Sequence, residues 1–150
     1  MGDASRQHAM NGSSALAMGF GRDETPRVRC IKITNDGRGG SRFEEFEISQ
    51  ASTPYVENTP PLLVSAAVAA TGVIFVTTPP EIRETKPHPA PRRQFAVVLE
   101  GQAEIVTTDG DKRTIMPGMC ALFEDVDGVG HITNVVSPTP LTFMAVSIAD

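Results

Sequence analysis

Short apolar runs separated by turn-forming residues dominate the sequence from Arg27 onward. The runs are rich in β-branched and aromatic residues, and the turns between them include Asp109-Gly110 and Pro117-Gly118. Scarcely any stretch shows the 3.6-residue period of an amphipathic helix. This pattern predicts an all-β fold, an antiparallel sandwich or barrel, and the number of runs favours a jelly roll.

The chain of 150 residues is long enough for one domain with its own core. Residues 1–26 are rich in Gly, Ser, Ala and Met without a sustained period, so we predict a flexible N-terminal tail there and a single domain over 27–150. The segment 41–48 fits either a strand or a short helical turn. The other predicted strands are 28–34, 62–70, 72–78 with Gly72 as a break or bulge, 95–99, 103–108, 112–116, 119–123, 131–136 and 141–148.

Composition excludes several classes of protein. The formal net charge is −5 and no basic run occurs, which argues against nucleic-acid binding. The most apolar stretch, 62–76, is interrupted by polar residues and is too short for a membrane span, and the N-terminus lacks a signal-peptide pattern. Cys30 and Cys120 do not form a disulfide framework, so we predict two buried thiols and a cytoplasmic location.

The stretch from His88 to Gly101, HPAPRRQFAVVLEG, combines a rigid entry with a buried strand. Its alternating prolines lack the backbone N–H that a central strand needs, so this part is expected to be extended at a sheet edge. The FAVVL run that follows is predicted to be a buried strand. Because side chains alternate along a strand, Gln94 shares a face with Ala96 and Val98 and would face an apolar interior.

From Gly72 to Asp150 the sequence resembles the small single-domain cupins. The resemblance rests on HPAPRRQFAVVLEG, the Asp-Gly hairpin, the Pro-Gly turn and the run EDVDGVGH that ends at His131, and weaker similarity reaches back to about Arg27. It implies a double-stranded β-helix, that is, a jelly-roll barrel. It also implies a small-molecule pocket inside the barrel and a homodimer.

The first cupin motif has two His separated by one residue, then a Glu, then a Gly seven residues later. Gly101 lies seven residues after Gln94, so Gln94 takes the position of the Glu, His88 that of the first His and Ala90 that of the second. Two of the customary metal ligands are therefore replaced. The resemblance implies no cofactor, or a weakly bound divalent metal held by His88, Gln94 and His131, the last from the second motif.

The second cupin motif consists of a Pro-Gly turn followed by a His. Pro117-Gly118 and His131 match it, and Asn134 lies near the position of the motif's Asn. The resemblance thus brings His131 to the barrel mouth beside His88. Imidazole titrates near neutral pH, so either His could act as a general base, with Gln94 as a hydrogen-bond donor to the substrate.

Four charged residues are candidates for substrate binding. Arg92 and Arg93 point to opposite faces of their strand, so one of them could bind a substrate carboxylate, the alternative being an interface or solvated charge. Glu124 and Asp125 end a strand, and only one can face inward. That carboxylate could orient His131, act as a base or serve as a metal ligand, and the alternative is a solvated turn.

These residues favour an enzyme that performs acid–base chemistry on a small organic acid or carbonyl compound. Isomerisation, cyclisation and decarboxylation are reactions of this type. One alternative is a metal-dependent dioxygenase of the cupin type. Another, from a different class, is a non-catalytic ligand-binding or sensor barrel.

Overall fold

A computed structural model describes residues 27–150 as an all-β chain. The part described contains strands, bridges, turns and bends and no helix, so the predicted fold class is confirmed and no helix there could cross a membrane. The predicted tail, 1–26, lies outside the described residues. The strands are β1 Val28–Asn35, β2 Ser41–Ile48, β3 Gln50–Thr53, β4 Leu62–Ser65, β5 Ala70–Thr78, β6 Gln94–Glu100, β7 Ala103–Val106, β8 Lys112–Ile115, β9 Cys120–Phe123, β10 Ile132–Val135 and β11 Leu141–Ile148.

The described chain divides into two compact units. The larger unit contains Arg29–Phe46 and Val68–Asp150, and the smaller contains 27–28 and 47–67. The smaller unit is built on the antiparallel pair β3–β4, in which Gln50 lies opposite Ser65. Whether 27–150 acts as the single domain predicted from the sequence stays a prediction.

Two sheets build the larger unit. One has six strands in the order β2-β1-β9-β6-β11-β5, and the other has three in the order β10-β7-β8. The neighbours β1 and β9 run parallel, whereas β6 pairs antiparallel with both β9 and β11. Strands that are far apart in sequence therefore lie side by side, which is typical of a jelly roll and not of a simple meander.

The core of the larger unit is filled from both sheets. In the six-stranded sheet, Ala96 and Val98 of β6 are buried two positions apart, and Ala145 of β11 is buried beside them. Ile105 of β7 and Val135 of β10 are buried from the second sheet. This period of two is what the alternation of side chains along a strand requires. The inward face of β6 predicted from the sequence is therefore correct, and Gln94 begins that face.

The predicted turns are confirmed where the backbone needs glycine. Asp109-Gly110 joins the antiparallel strands β7 and β8, and Gly110 has φ +86°. Gly118, which follows Pro117, has φ +87°. Residues with a Cβ rarely adopt such angles, so these glycines fix the positions of the turns.

One strand prediction needs correction, and two open alternatives are settled. The segment 41–48 is strand β2. The predicted strand 62–70 is divided, because β4 ends at Ser65 and β5 begins at Ala70. The bulge predicted at Gly72 is confirmed and β5 is not broken there. The consecutive residues Ser147 and Ile148 of β11 pair with Gly72 and Ala70, so Thr71 is the extra residue on β5.

Cys30 and Cys120 are neighbours on the parallel strands β1 and β9 and are both free thiols. Cys30 is buried and Cys120 is partly buried. Burial, reinforced by the neighbouring Cys30 thiol, raises the pKa of Cys120 to about 12. Since the thiolate is the reactive form, Cys120 is expected to be an inert packing residue.

Candidate active site

A cavity of about 260 Å³ lies between the two sheets of the larger unit. Its wall is mostly aliphatic and aromatic, and the polar side chains that reach it come from a few positions only. Pockets for drug-sized ligands begin at about 300 Å³, so this cavity fits a smaller molecule. The polar lining residues are Thr78, Glu84, His88, Gln94, His131 and Thr133.

The two histidines predicted from the sequence meet at this cavity. The N–H of His88 donates to the carbonyl of His131 at 2.9 Å, and the N–H of His131 donates back to the carbonyl of His88 at 3.0 Å. Their ring centroids are 5.0 Å apart. His131 is 4% exposed, whereas the His88 side chain is about half exposed, so His131 lies deep and His88 lies towards solvent.

Gly130 makes this backbone pairing possible. Its φ is +80°, and a Cβ added to it would stand 2.0 Å from the carbonyl oxygen of His88. Any larger residue would push the two segments apart, because the obstructing atom belongs to the backbone. Gly130 is therefore needed for the backbone pairing of His88 with His131, and not only for the turn of the loop.

His131 is oriented by Asp125. The Asp125 carboxylate is fully buried, and its Oδ2 lies 2.5 Å from Nδ1 of His131. A carboxylate accepts hydrogen bonds, so Nδ1 carries the proton and Nε2 of the neutral ring keeps a lone pair. Among the described residues no partner occupies Nε2, and the ring lines the cavity. His131 thus presents a base to a bound molecule.

His88 has the opposite arrangement, since acceptors face both of its nitrogens. Nδ1 lies 3.1 Å from the carbonyl oxygen of Pro89, and Nε2 lies 3.0 Å and 3.1 Å from the two carboxylate oxygens of Glu84. Both contacts are hydrogen bonds only when both nitrogens are protonated. Desolvation is the largest single influence and lowers the pKa of His88. The bonds to Pro89 and Glu84, with the charges of Glu84 and Asp125, outweigh it and raise the pKa above its usual value.

Glu84 is a site residue that the sequence analysis missed. Its Oε2 accepts a hydrogen bond from the N–H of Thr133 at 2.8 Å, and its own N–H donates to Oδ1 of Asn134 at 3.1 Å. These bonds tie the loop before His88 to β10. The only signal was an acidic residue four positions before a histidine, which indicates a contact in a helix but not in a Pro-containing loop. Asn134 accordingly anchors this loop.

Gln94 lines the cavity beside the histidines. Within residues 27–150 its side-chain amide has no hydrogen-bond partner. Other polar side chains, among them the two histidines, line the same cavity. The amide is therefore free to donate to an oxygen of a bound molecule. This is the position that the sequence predicted for it.

The other candidate substrate-binding residues lie away from the cavity wall. Arg92 is exposed, and Nε of Arg93 donates to Oε2 of Glu124 at 3.2 Å. The other oxygen of Glu124 lies 3.5 Å from Nζ of Lys32. Of the carboxylates at 124 and 125, Asp125 is the inward one, and it reaches the cavity only through His131. A direct contact of these residues with substrate stays a prediction.

The side chains present do not fit the metal set implied by the cupin motif. Both nitrogens of His88 are engaged as donors, so neither offers a lone pair. Ala90 has no donor atom, and Gln94 is a neutral and weak ligand. Within residues 27–150 no group of three or more His, Cys, Asp and Glu side chains is placed to hold a metal ion. We derive no chemistry through a metal.

The chain is similar to solved structures of the cupin superfamily. One of them is a sugar phosphate isomerase from Silicibacter pomeroyi, described as a member of a cupin superfamily. It is 28% identical over 55% of this chain and 52% of that chain, with a TM-score of 0.43. The chain thus spans about half the length of that isomerase. The Cnp3 cupin domain of Schizosaccharomyces pombe is 11% identical over 82% of this chain and 84% of that one, with a TM-score of 0.42.

A third similar structure is the Cupin_2 domain of an XRE family transcriptional regulator from Enterobacter cloacae. It is 22% identical over 52% of this chain and 81% of that chain, with a TM-score of 0.40. No protein-family model matches the sequence, and no curated protein matches it significantly. The all-β architecture of two sheets agrees with the jelly roll expected from the sequence motifs.

Proposed function

We propose that the protein is an acid–base enzyme that moves a proton on a small carbonyl compound, as an isomerase does. The observation that carries the proposal is the pairing of two imidazole–carboxylate units at one cavity, His131 with Asp125 and His88 with Glu84. Both ring nitrogens of His88 face hydrogen-bond acceptors, whereas Nε2 of His131 is left for a bound molecule. Imidazole–carboxylate pairs in a pocket are typical of sites that move protons.

In the proposed reaction His131 acts as the base. Its Nε2 takes a proton from the carbon next to the substrate carbonyl, and the C–H electron pair shifts into a carbon–carbon double bond while the carbonyl becomes an enolate. Asp125 holds the ring and stabilises the imidazolium that forms. In a β,γ-unsaturated carbonyl compound the enolate is a conjugated dienolate with negative charge at the γ-carbon. His131 then returns the proton to that carbon, and the double bond moves into conjugation with the carbonyl without a change in oxidation state.

One side-chain donor at the cavity would stabilise the enolate. The Gln94 amide is free to donate a hydrogen bond to the developing oxyanion. His88 would contribute as a positioning group, because its ring centroid lies 5.0 Å from that of His131 and its backbone is hydrogen-bonded to that residue. Glu84 holds the His88 ring in place through the contacts to Nε2.

The alternatives use the same cavity. A non-catalytic binding barrel would bind the molecule without moving its protons. A dioxygenase would need metal ligands that His88, Ala90 and Gln94 do not supply. The acid–base reaction is the alternative that gives a task to both histidines, to their carboxylate partners and to Gln94.

The first prediction is that the protein catalyses exchange of α-protons. Acetophenone in D₂O at pH 7 should lose its methyl proton signal in the presence of the protein, because Nε2 of His131 removes a proton and the solvent returns a deuteron. Proton NMR measures the rate, and protein unfolded in urea is the control. Binding of acetophenone without any exchange above that control would contradict the acid–base proposal and favour a binding barrel.

Quaternary structure and location remain predictions. Val73, Ile74 and Phe75 of the edge strand β5 are between 53% and 69% exposed, and an apolar edge of this kind is typical of an interface. This supports the homodimer expected from the cupin resemblance. The two free thiols are compatible with the cytoplasmic location predicted from the sequence.

A further inference from the structure

The geometry points to an uncharged, largely hydrocarbon carbonyl compound as the substrate. This inference rests on the proposed function and narrows it, since the sequence left open an organic acid or a neutral carbonyl compound. It depends on three features of the cavity. These are the apolar surface of its wall, the balance of charge around it, and the position of the nearest arginine.

Most of the side chains that line the cavity are apolar. Ile105, Ile115 and Val135 are buried core residues that line it from the second sheet, and Phe143 and Ala145 line it from β11. A ligand gains about 25 cal/mol for each Å² of apolar surface that it removes from water. A polyhydroxylated molecule would instead lose hydrogen bonds to water that this wall does not replace.

The charge around the cavity disfavours an anion. Among residues 27–150 no Lys or Arg lines it, and the one cation, His88, is already neutralised by Glu84 at 3.0 Å. The Asp125 carboxylate behind His131 adds a further negative charge. A carboxylate or phosphate that entered would therefore be desolvated without a counter-ion, which is costly.

Arg93 does not supply the missing counter-ion. Its side chain is engaged with Glu124, which also lies within 3.5 Å of Lys32, and none of the three lines the cavity. The sequence analysis considered an arginine that binds a substrate carboxylate. In the structure Glu124 already occupies Arg93 and would compete with such a carboxylate. The neutral carbonyl group, in contrast, has a matched donor in Gln94.

Two molecules of nearly equal shape test this inference. Acetophenone is the neutral probe, and benzoate replaces its methyl group by a charged oxygen. Titration of the protein with each, followed by the chemical shifts of cavity methyl groups, should give a dissociation constant at least about tenfold lower for acetophenone at pH 7. Equal or tighter binding of benzoate would overturn the inferred substrate class.

Two variants sharpen the result. Glu84→Gln leaves the charge of His88 without its counter-ion, so at pH 5.5 this variant should bind benzoate more tightly than the unmodified protein does. Arg93→Ala should leave the affinity for benzoate unchanged, and a loss of affinity would overturn the inference in favour of an arginine clamp. The affinity test is independent of the exchange test. Selective ketone binding without exchange contradicts the acid–base function alone, and exchange with preferred benzoate binding contradicts the substrate class alone.

Discussion

Replacing His131 by asparagine is expected to lower the rate of α-proton exchange by about 10²–10⁴-fold, the usual loss when a positioned base is removed. Asparagine keeps an N–H near the position of Nδ1, so it can still donate to Asp125 and does not leave that buried carboxylate unpaired. It lacks Nε2, the atom assigned as the base. The rate is measured by the loss of the methyl proton signal of acetophenone in D₂O.

The control for this experiment is Arg93→Ala. Arg93 lies outside the cavity wall and is paired with Glu124, so its removal should leave exchange on the neutral ketone unchanged. Circular dichroism should show that both variants keep the β fold. Full exchange activity in a folded His131→Asn variant would refute the assignment of His131 as the base.

Gly130→Ala is expected to destabilise the protein by roughly 2–6 kcal/mol, the sum of left-handed backbone strain and a steric clash. The added Cβ would meet the carbonyl of His88 at 2.0 Å, and because this is a backbone atom neither segment can turn aside. The free energy of unfolding in urea measures the loss. The His88–His131 pairing should be disturbed as well, so the exchange activity should fall in whatever fraction remains folded.

Gly110→Ala is the matched control for the clash. Gly110 has a similar φ, +86°, but nothing lies within 4 Å of an added Cβ. This variant should be destabilised only by the strain of the left-handed conformation, about 1–2 kcal/mol. If both variants lost the same stability, the close approach of Gly130 to His88 would not be the constraint that we describe.

Local sequence signals predicted most of the fold. The Asp109-Gly110 and Pro117-Gly118 turns were identified because few residues adopt positive φ, and the buried face of β6 was identified from its alternation. The pairing of β1 with β9 was not predicted. It joins residues ninety positions apart through backbone hydrogen bonds, which no local pattern of side chains records.

The candidate site was predicted in part. The cupin resemblance predicted that His88, His131 and Gln94 lie at one cavity, and all three line it. Asp125 was expected as one of two carboxylates, and only the buried environment identifies it as the one beside His131. Glu84 was missed because its contact with His88 depends on a loop conformation held by Thr133 of β10. Such a contact has no signature in the sequence.

The protonation states of the two histidines test the central claim most directly. Nitrogen-15 NMR of the imidazole rings between pH 5.5 and 8.5 reports which nitrogens carry protons. We predict that His88 remains protonated on both nitrogens above pH 6.5, because its pKa is raised, and that Glu84→Gln shifts its titration to lower pH. The neutral ring of His131 should carry its proton on Nδ1, which faces the Asp125 carboxylate, and keep a lone pair on Nε2. A neutral His88 at pH 6.5 that is insensitive to Glu84→Gln, or a His131 protonated on Nε2, would contradict the account.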